Sequence, residues 1–197
     1  VGDATLTISG VDAEDFGTNP SALTQTNDEE LTGSKKNPEG GTTEGTIMHF
    51  TFPKDGEFDY VESLSSGSIQ FPFLATMCYK YENKANAMLC VKEDPLDNKD
   101  SVCNIDEIKT VYNSGGPIQI MNFEETPRGK TELAFTFEIN HQGTGNVYEM
   151  STDCDDSIQT ENNIFVNIDT GIAGLECTGL KGGDSSSGYV TLYQGKH

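Results

Sequence analysis

The sequence predicts an all-β protein that consists of two β-sandwich domains in tandem. The chain has 197 residues, enough for two domains of about 100 residues each. Its apolar side chains are mostly Phe, Ile, Val and Tyr, with abundant Thr beside them, and these residues favour a pleated sheet over a helix. Frequent Gly, Pro, Asn, Asp and Ser divide the chain into short segments without a sustained helical spacing of apolar residues. The class predicted is therefore all-β.

The first domain is predicted to span residues 1–95 and to open with a strand. In residues 3–9 the apolar side chains of Ala4, Leu6 and Ile8 alternate with polar ones. A strand that buries one face has this period of two. We therefore expect these three side chains to share one face of the opening strand.

A long polar segment separates this strand from the rest of the first domain. Residues 10–45 are rich in Gly, Asn, Glu and Thr. Apart from a short strand near 22–26, they predict an irregular surface loop with few core contacts. Farther along, the strand-like segments 69–81 and 87–92 flank a five-residue polar turn, which predicts a β-hairpin.

A polar connector over residues 92–101 is predicted to lead into the second domain, residues 102–197. Candidate strands recur there at the spacing of an immunoglobulin-like (Ig-like) β-sandwich. They lie near 105–112, 117–123, 131–140, 145–150, 163–168, 173–179 and 188–194. The clearest is the third, whose predicted core-facing side chains are Leu133, Phe135, Phe137 and Ile139. The sequence thus predicts two tandem Ig-like β-sandwich domains.

The charge of the chain restricts its partners. The 32 acidic and 12 basic residues give a formal net charge of −20. A field of this sign repels the phosphates of nucleic acids and anionic membrane surfaces, so neither is an expected partner. No apolar run approaches the ~18 residues that a membrane-spanning helix needs, and we expect no membrane span in this chain.

Five cysteines indicate the compartment. They lack the Cys-x-x-Cys spacing of a zinc site, and disulfides in an extracellular or cell-surface setting explain them better than free thiols in a cytosolic protein. Cys78 and Cys90 are equidistant from the centre of the predicted hairpin turn, so they are expected to face each other and form a bond. Cys103 then pairs with Cys154 by elimination, and Cys177 is left over.

Short motifs are spread over about 160 residues of the chain. They are Cys78-Tyr79-Lys80-Tyr81 followed by Ala85, Cys90-Val91 and Asp94-Pro95, the upstream Asn37-Pro38-Glu39-Gly40-Gly41, a turn with Asn140, Gly143, Gly145, Val147 and Tyr148, and Leu175-Glu176-Cys177 before Gly188-Tyr189-Val190-Thr191-Leu192. In these motifs the chain resembles uncharacterised Ig-like cell-surface proteins of small-genome archaea. The resemblance implies an Ig-like architecture and a place on the cell surface, and it transfers no catalytic residue. In that family a further Cys-containing strand follows the segment that corresponds to 188–196.

Acidic residues of the connector form the candidate metal site. Asp94, Asp97 and Asp100 lie three residues apart, and carboxylates are among the ligands that Ca²⁺ prefers. A bound Ca²⁺ would stiffen the junction between the domains. The spacing does not match an EF-hand loop, and an ordinary solvated surface is the competing interpretation. No cofactor other than Ca²⁺ is expected.

No set of residues predicts a catalytic site. Asp169-Thr170-Gly171 resembles the active-site loop of aspartic proteases, but that chemistry needs two carboxylates and a second such loop is missing. A tight turn between two strands explains it better. The three His residues are scattered along the chain, and no Ser has the spacing of a nucleophile elbow. We expect a protein that is not an enzyme.

These observations predict an extracellular structural subunit of a cell-surface filament or coat. A sandwich that lacks an edge strand exposes unpaired main-chain groups, and the segment 188–197 ends before a returning strand. Residues 3–9 of another subunit are expected to complete that sheet, with Ala4, Leu6 and Ile8 inserted, in head-to-tail assembly. Two other interpretations remain: the missing strand is encoded further on, or residues 3–9 pair within their own domain. The alternative function is an adhesin or carbohydrate-binding surface module, in which Tyr side chains stack on sugars.

Overall fold

Nearly all of the regular structure is β-strand. The computed structural model describes residues 3–33, 35–36, 42–64, 67–97, 103–154 and 159–197. Within these ranges the only helical elements are two 3-10 turns, at Glu14–Phe16 and Pro20–Leu23. The strands are β1 (Ala4–Ser9), β2 (Thr24–Thr26), β3 (Lys35–Lys36), β4 (Thr42–Thr43), β5 (Leu74–Tyr79), β6 (Ala85–Ala87), β7 (Glu107–Lys109), β8 (Val111–Asn113), β9 (Ile118–Pro127), β10 (Leu133–His141), β11 (Asn163–Asn167) and β12 (Ser187–Thr191). The all-β prediction is confirmed.

The contacts within the chain define two units, Val1–Tyr81 and Glu82–His197. The division lies ahead of the connector that the sequence predicted over residues 92–101. Its position follows from β6, which pairs antiparallel with β8 and places Ala85 opposite Asn113. The chain therefore joins the second unit before it reaches the polar segment.

The first unit contains a three-stranded antiparallel sheet in the order β2-β1-β5. The opening strand is its middle strand: Leu6 lies opposite Gln25 of β2 on one side and Met77 of β5 on the other. Ala4 is only 1% exposed, and the other side chains of β1 are half-buried. Residues 3–9 thus pair within their own unit, which is one of the two alternatives to a donor strand.

The predicted loop 10–45 contains more structure than its polarity suggested. It holds both 3-10 turns, β2 and the short pair β3–β4, and it contributes Ala13 and Leu23 to the buried residues. Gly10 begins it with a φ of 88°, and a Cβ at that position would collide with the main-chain oxygen of Pro72. Glycine alone fits this combination of positive φ and close main-chain approach. Residues 34 and 37–41 lie outside the described ranges.

Four aromatic side chains hold the first unit together away from its sheet. Phe16 packs edge-on against Phe71 with ring centroids 5.1 Å apart, and it also contacts Tyr60 at 5.6 Å and Phe73 at 6.4 Å. The 3-10 turn Glu14–Phe16 carries Phe16 into this cluster. Offset and edge-on aromatic contacts add about 0.5–1.5 kcal/mol per pair beyond burial of area. This cluster adds side-chain packing to the first unit outside its sheet.

The hairpin predicted from segments 69–81 and 87–92 does not form. β5 pairs with β1, with Cys78 opposite Thr5, whereas β6 pairs with β8 in the other unit. The symmetric polar turn is compatible with a hairpin, but pairing with β1 gives β5 six matched residues and covers Ala4. The long-range partner therefore wins over the local one.

The core of the second unit lies between the β10-β9-β7 sheet and the β11–β12 pair. Ile139, Val190 and Leu192 are buried to 4% exposure or less, and six apolar side chains pack against them: Ile118, Ile120, Phe137, Ile164, Val166 and Leu180. Burying a side chain of this size contributes about 1.5–3 kcal/mol. In the predicted strand segments 145–150 and 173–179, the structure contains only a bridge between Tyr148 and Glu161.

The last residues of the chain add to the outer edge of β10. Ile139 and His197 exchange main-chain hydrogen bonds of 2.8 and 3.0 Å, and His141 N–H donates to Gly195 O at 2.7 Å. Lys196 lies opposite Asn140 and forms an ion pair of 2.9 Å with Glu138. The C-terminal segment thus pairs with the outer edge of β10 at Ile139, Asn140 and His141.

Candidate functional site

A β-bulge in β9 sets up the most unusual site of the molecule. Asn122 has a φ of 50°, and the pairing between β9 and β10 shifts there by one residue. Before the bulge, Ile118 and Ile120 face the core, and after it Phe123 and Glu125 do. One extra residue in a strand reverses the faces of all residues that follow. The bulge therefore turns Glu125 inward and leaves Glu124 exposed.

Glu125 is fully buried and its carboxylate is held by two groups. The main-chain N–H of Cys90 donates to both oxygens, at 3.1 Å to Oε1 and 3.0 Å to Oε2. The Nζ atom of Lys109 on β7 lies 3.1 Å from Oε2. A buried carboxylate is tolerated only when charge and hydrogen bonds compensate for its lost hydration. Lys109 and Cys90 provide that compensation.

Lys109 connects the buried carboxylate to a second one. Its side chain is 8% exposed, and Nζ lies 2.8 Å from Oε1 of Glu107, whose side chain is 44% exposed. Nζ also donates to the main-chain oxygen of Asn104. Burial acts to lower the pKa of Lys109, but its hydrogen bonds to Glu107 and Glu125 outweigh burial and raise that pKa above its ordinary value. Hydrogen bonds from Lys109 and Asn104 lower the pKa of Glu107.

We call Glu107, Lys109 and Glu125 the buried ionic cluster. Its three members share one face of the sheet, because Glu107 lies opposite Glu125 and Lys109 lies opposite Phe123. Phe123 stacks on Phe135 at 5.2 Å between centroids, so the cluster borders an apolar core. Lys109 thus brings one amine into contact with two carboxyl groups: Glu125, which is buried and also accepts the N–H of Cys90, and Glu107, which is open to solvent.

The disulfides differ from the predicted pairs. Cys90 is bonded to Cys103, with their Cα atoms 5.8 Å apart, so the predicted pairs Cys78–Cys90 and Cys103–Cys154 are wrong. The hairpin that would have placed Cys78 opposite Cys90 is absent. Cys78 and Cys154 each take part in a disulfide as well, so the four cysteines predicted to be bonded are bonded. Cys177 is a free thiol, and burial together with the nearby Asp184 raises its pKa.

The predicted calcium ligands lie in the loop that the Cys90–Cys103 disulfide closes. Asp94 Oδ1 accepts the N–H of Leu96 at 3.0 Å, and the main-chain oxygen of Asp94 accepts the N–H of Asp97 at 3.1 Å. These bonds stabilise a turn. Asp100 lies outside the described residues, and within the described ranges no group of three or more His, Cys, Asp or Glu side chains is placed to hold a metal ion.

The Asp-Thr-Gly segment forms a turn on the surface. Asp169 is exposed, and its Oδ1 accepts the N–H of Gly171 at 2.8 Å. Thr170 Oγ1 accepts the N–H of Ile172 at 3.2 Å. Side-chain bonds of this kind are typical of Asx and Ser/Thr turns, so the turn interpretation of residues 169–171 agrees with the geometry.

No protein-family model, curated protein or solved structure matches the chain. Across the described ranges, no helix is long and apolar enough to cross a membrane.

Sequence reasoning missed the buried ionic cluster for an identifiable reason. Strict alternation through β9 from Ile118 places Glu124 on the inner face and Glu125 outside. The sequence does contain a signal for this site. Strict alternation places one of the adjacent residues Glu124 and Glu125 on the inner face, and Asn122 shortly before them is a residue type that tolerates positive φ. A bulge at Asn122 resolves the conflict.

Proposed function

We propose that the protein is an extracellular structural subunit of a cell-surface filament or coat, built from two Ig-like sandwich units, and that it is not an enzyme. Disulfide-bonded cysteines and the acidic surface support an oxidising, extracellular setting. The motifs similar to those of archaeal cell-surface proteins support the same location.

The observation that carries self-assembly is the outer edge of β10. Ile139 and His141 form main-chain hydrogen bonds with the C-terminal segment. Main-chain N–H and C=O groups alternate between the two edges of a strand, so those of Leu133, Phe135 and Phe137 point to the same edge. Among the described residues no main-chain hydrogen bond reaches these three groups from that side. In this proposal that edge of β10 accepts an added strand, which is either a continuation of the C-terminal segment or a strand of another subunit.

The added strand is supplied by a second subunit in this proposal. Residues 3–9 have the alternation that the edge accepts, but β1 is paired on both sides in its own sheet. Donation of Ala4, Leu6 and Ile8 therefore requires β1 to exchange out of its sheet. Edge-to-edge addition of another strand needs no such rearrangement and is favoured.

Hydrogen exchange in assembled protein tests the proposal. Sedimentation velocity of the oxidised protein is expected to show assemblies that grow with concentration. The amides of Phe135 and Phe137 should exchange fast in the monomer and slowly in the assembly. The amide of Thr136, which points toward β9, is the internal control and stays protected in both. Protein that remains monomeric at all concentrations, or assemblies in which Phe135 and Phe137 still exchange at the monomer rate, would contradict the proposal.

A synthetic peptide with the sequence of residues 3–9 distinguishes the two sources of the strand. If β1 is the donor, the peptide binds the β10 edge, shifts the amide signals of Phe135 and Phe137, and inhibits assembly. If another strand is used, assembly proceeds unchanged in its presence. A peptide with the same residues in scrambled order controls for nonspecific binding.

An adhesin or carbohydrate-binding module is the second candidate, and two exposed tyrosines favour it. Tyr79 and Tyr81 are 45% and 42% exposed, with their rings 6.2 Å apart and edge to face. Aromatic faces at a surface can stack on sugar rings. Binding of the wild-type protein to a glycan array, lost in Tyr79→Ala and retained in Tyr193→Ala, would support this function.

A further inference from the structure

We propose that Lys109 and Glu125 condense into an intramolecular amide, an isopeptide cross-link that joins β7 to β9. The inference concerns residues of the second unit alone and does not depend on the proposed function. It rests on the contact between the two groups, on their burial, and on the two further groups that surround the reacting atoms.

The reacting groups are held in contact by neighbouring strands. Nζ of Lys109 lies 3.1 Å from Oε2 of Glu125. The pairing of β7 with β9 keeps these groups close, because Glu125 lies opposite Glu107, two residues before Lys109 on the same face of the sheet. Reaction between groups held at such distances gains an effective concentration of about 10⁵ M or more over free reactants. The two side chains are 8% and 0% exposed, so little water is available to reverse the condensation.

The surroundings allow the ion pair to exchange its proton. Phe123 lies opposite Lys109 and Phe135 lies opposite Glu125, and Phe123 is 9% exposed. In such an apolar environment the charged forms lose hydration, and transfer of a proton from ammonium to carboxylate yields a neutral amine and a neutral acid. The raised pKa of Lys109 makes the amine the minor form, so the bond is expected to form slowly after folding.

The remaining contacts match the needs of the reaction. After the proton has moved to Oε2 of Glu125, the Nζ lone pair attacks Cδ, and a C–N bond forms as the carbonyl π bond becomes an oxyanion on Oε1. The N–H of Cys90, 3.1 Å from Oε1, stabilises that oxyanion. The carboxylate of Glu107, 2.8 Å from Nζ, takes a proton from the nitrogen and returns it to Oε2. The Cδ–Oε2 bond then breaks, water leaves, and Glu107 is again a carboxylate.

The product fits the site as well as the ion pair does. The amide oxygen accepts the N–H of Cys90, and the amide N–H donates to Glu107. Neither the cation of Lys109 nor the anion of Glu125 remains buried. No oxidant, metal or further reactant is needed, because one carboxyl oxygen and two protons leave as water.

Mass spectrometry of the folded wild-type protein tests the proposal. After reduction and alkylation, the intact mass should be one water molecule lower than the mass calculated for the sequence with its five cysteines alkylated, and the shifted fraction should grow during incubation. Proteolysis should release a branched peptide that joins the segments around Lys109 and Glu125. Full sequence mass after prolonged incubation, an unmodified Lys109 peptide, or a branch at Glu107 in place of Glu125 would overturn the proposal.

Three variants separate the roles. Lys109→Arg keeps the positive charge, cannot form the amide, and should retain its full sequence mass. Glu125→Gln should lose ammonia in place of water and reach the same final mass as cross-linked wild type, a coincidence that no structural role produces. Glu107→Gln removes the proton relay and should slow formation by about 10²–10⁴-fold. If a variant does not fold, the wild-type mass still decides the question.

Discussion

Replacing Lys109 with Met tests whether the buried ionic cluster stabilises the second unit. The substitution keeps the length of the side chain and removes its charge, which leaves the carboxylate of Glu125, 0% exposed, with the N–H of Cys90 donating to it and no cation beside it. Removing one partner of a buried pair costs about 3–5 kcal/mol. Because typical domains are stable by about 5–15 kcal/mol, Lys109→Met should reduce the stability of this unit severely.

The size of the effect is checked by restoring the balance of charge. In the double variant Lys109→Met/Glu125→Gln no charge is buried, and the amide oxygen of Gln still accepts the N–H of Cys90. Its loss relative to wild type should fall to about 1–2 kcal/mol, the range of ordinary hydrogen bonds. Glu107→Gln, at a side chain that is 44% exposed, should cost under about 1 kcal/mol.

Native-state hydrogen exchange of amides in β9 and β10 is the suitable assay, because it reports the second unit without contributions from the first. Lys109→Arg is a second reference, since it keeps the charge and cannot form the proposed amide. A loss of less than about 1 kcal/mol in Lys109→Met, or a double variant no more stable than the single one, would refute the reasoning that an uncompensated Glu125 dominates the effect.

Three further predictions follow from the same unit. Replacing both Cys90 and Cys103 by Ala should lower the free energy of unfolding by about 3 kcal/mol, because the disulfide closes a loop with a sequence separation of 13 residues. A variant as stable as wild type would show that this loop is already restricted without the disulfide. The hydrogen bond from Lys196 is the largest cause that lowers the pKa of Glu138 from 4.5, followed by the bond from Asn122. The contact should therefore stabilise the C-terminal segment fully above pH 4.5 and be lost as pH falls through the lower, folded-state pKa. NMR titration should give Glu138 a higher pKa in Lys196→Ala than in wild type, and an unchanged pKa would contradict this cause. Ile139→Ala should cost about 2–5 kcal/mol in urea unfolding, since it removes the most buried side chain of the core; a change below 1 kcal/mol would mean that the neighbouring side chains collapse into the space.

The alternation of apolar and polar residues was sufficient to predict a strand that buries one face and has no bulge. Strand β10 could be predicted with its core-facing side chains because Leu133, Phe135, Phe137 and Ile139 repeat with a period of two. The class of the protein followed from the same cause, since β-branched and aromatic residues between frequent turns leave no helical alternative. The preference of residues 3–9 for a strand was equally local and is confirmed by β1.

Pairing was decided by tertiary structure, because strand partners are chosen by contacts that sequence periodicity does not encode. The polar turn at 82–86 suggested a hairpin, yet β5 pairs with β1, some seventy residues earlier in the chain, and β6 with β8. The same choice moved Cys90 away from Cys78 and placed it beside Cys103. Disulfide connectivity could not be predicted for that reason.

The candidate site depends on a shift of one residue in the pairing of β9 with β10. Asn122 adds one residue to β9, and only this bulge turns Glu125 toward the core, where Lys109 and the N–H of Cys90 meet it. The sequence by itself determined that the chain forms strands and which face of β10 is apolar. The fold alone determined which carboxylate is buried, because burial of Glu125 requires three segments to converge before its charge can be compensated.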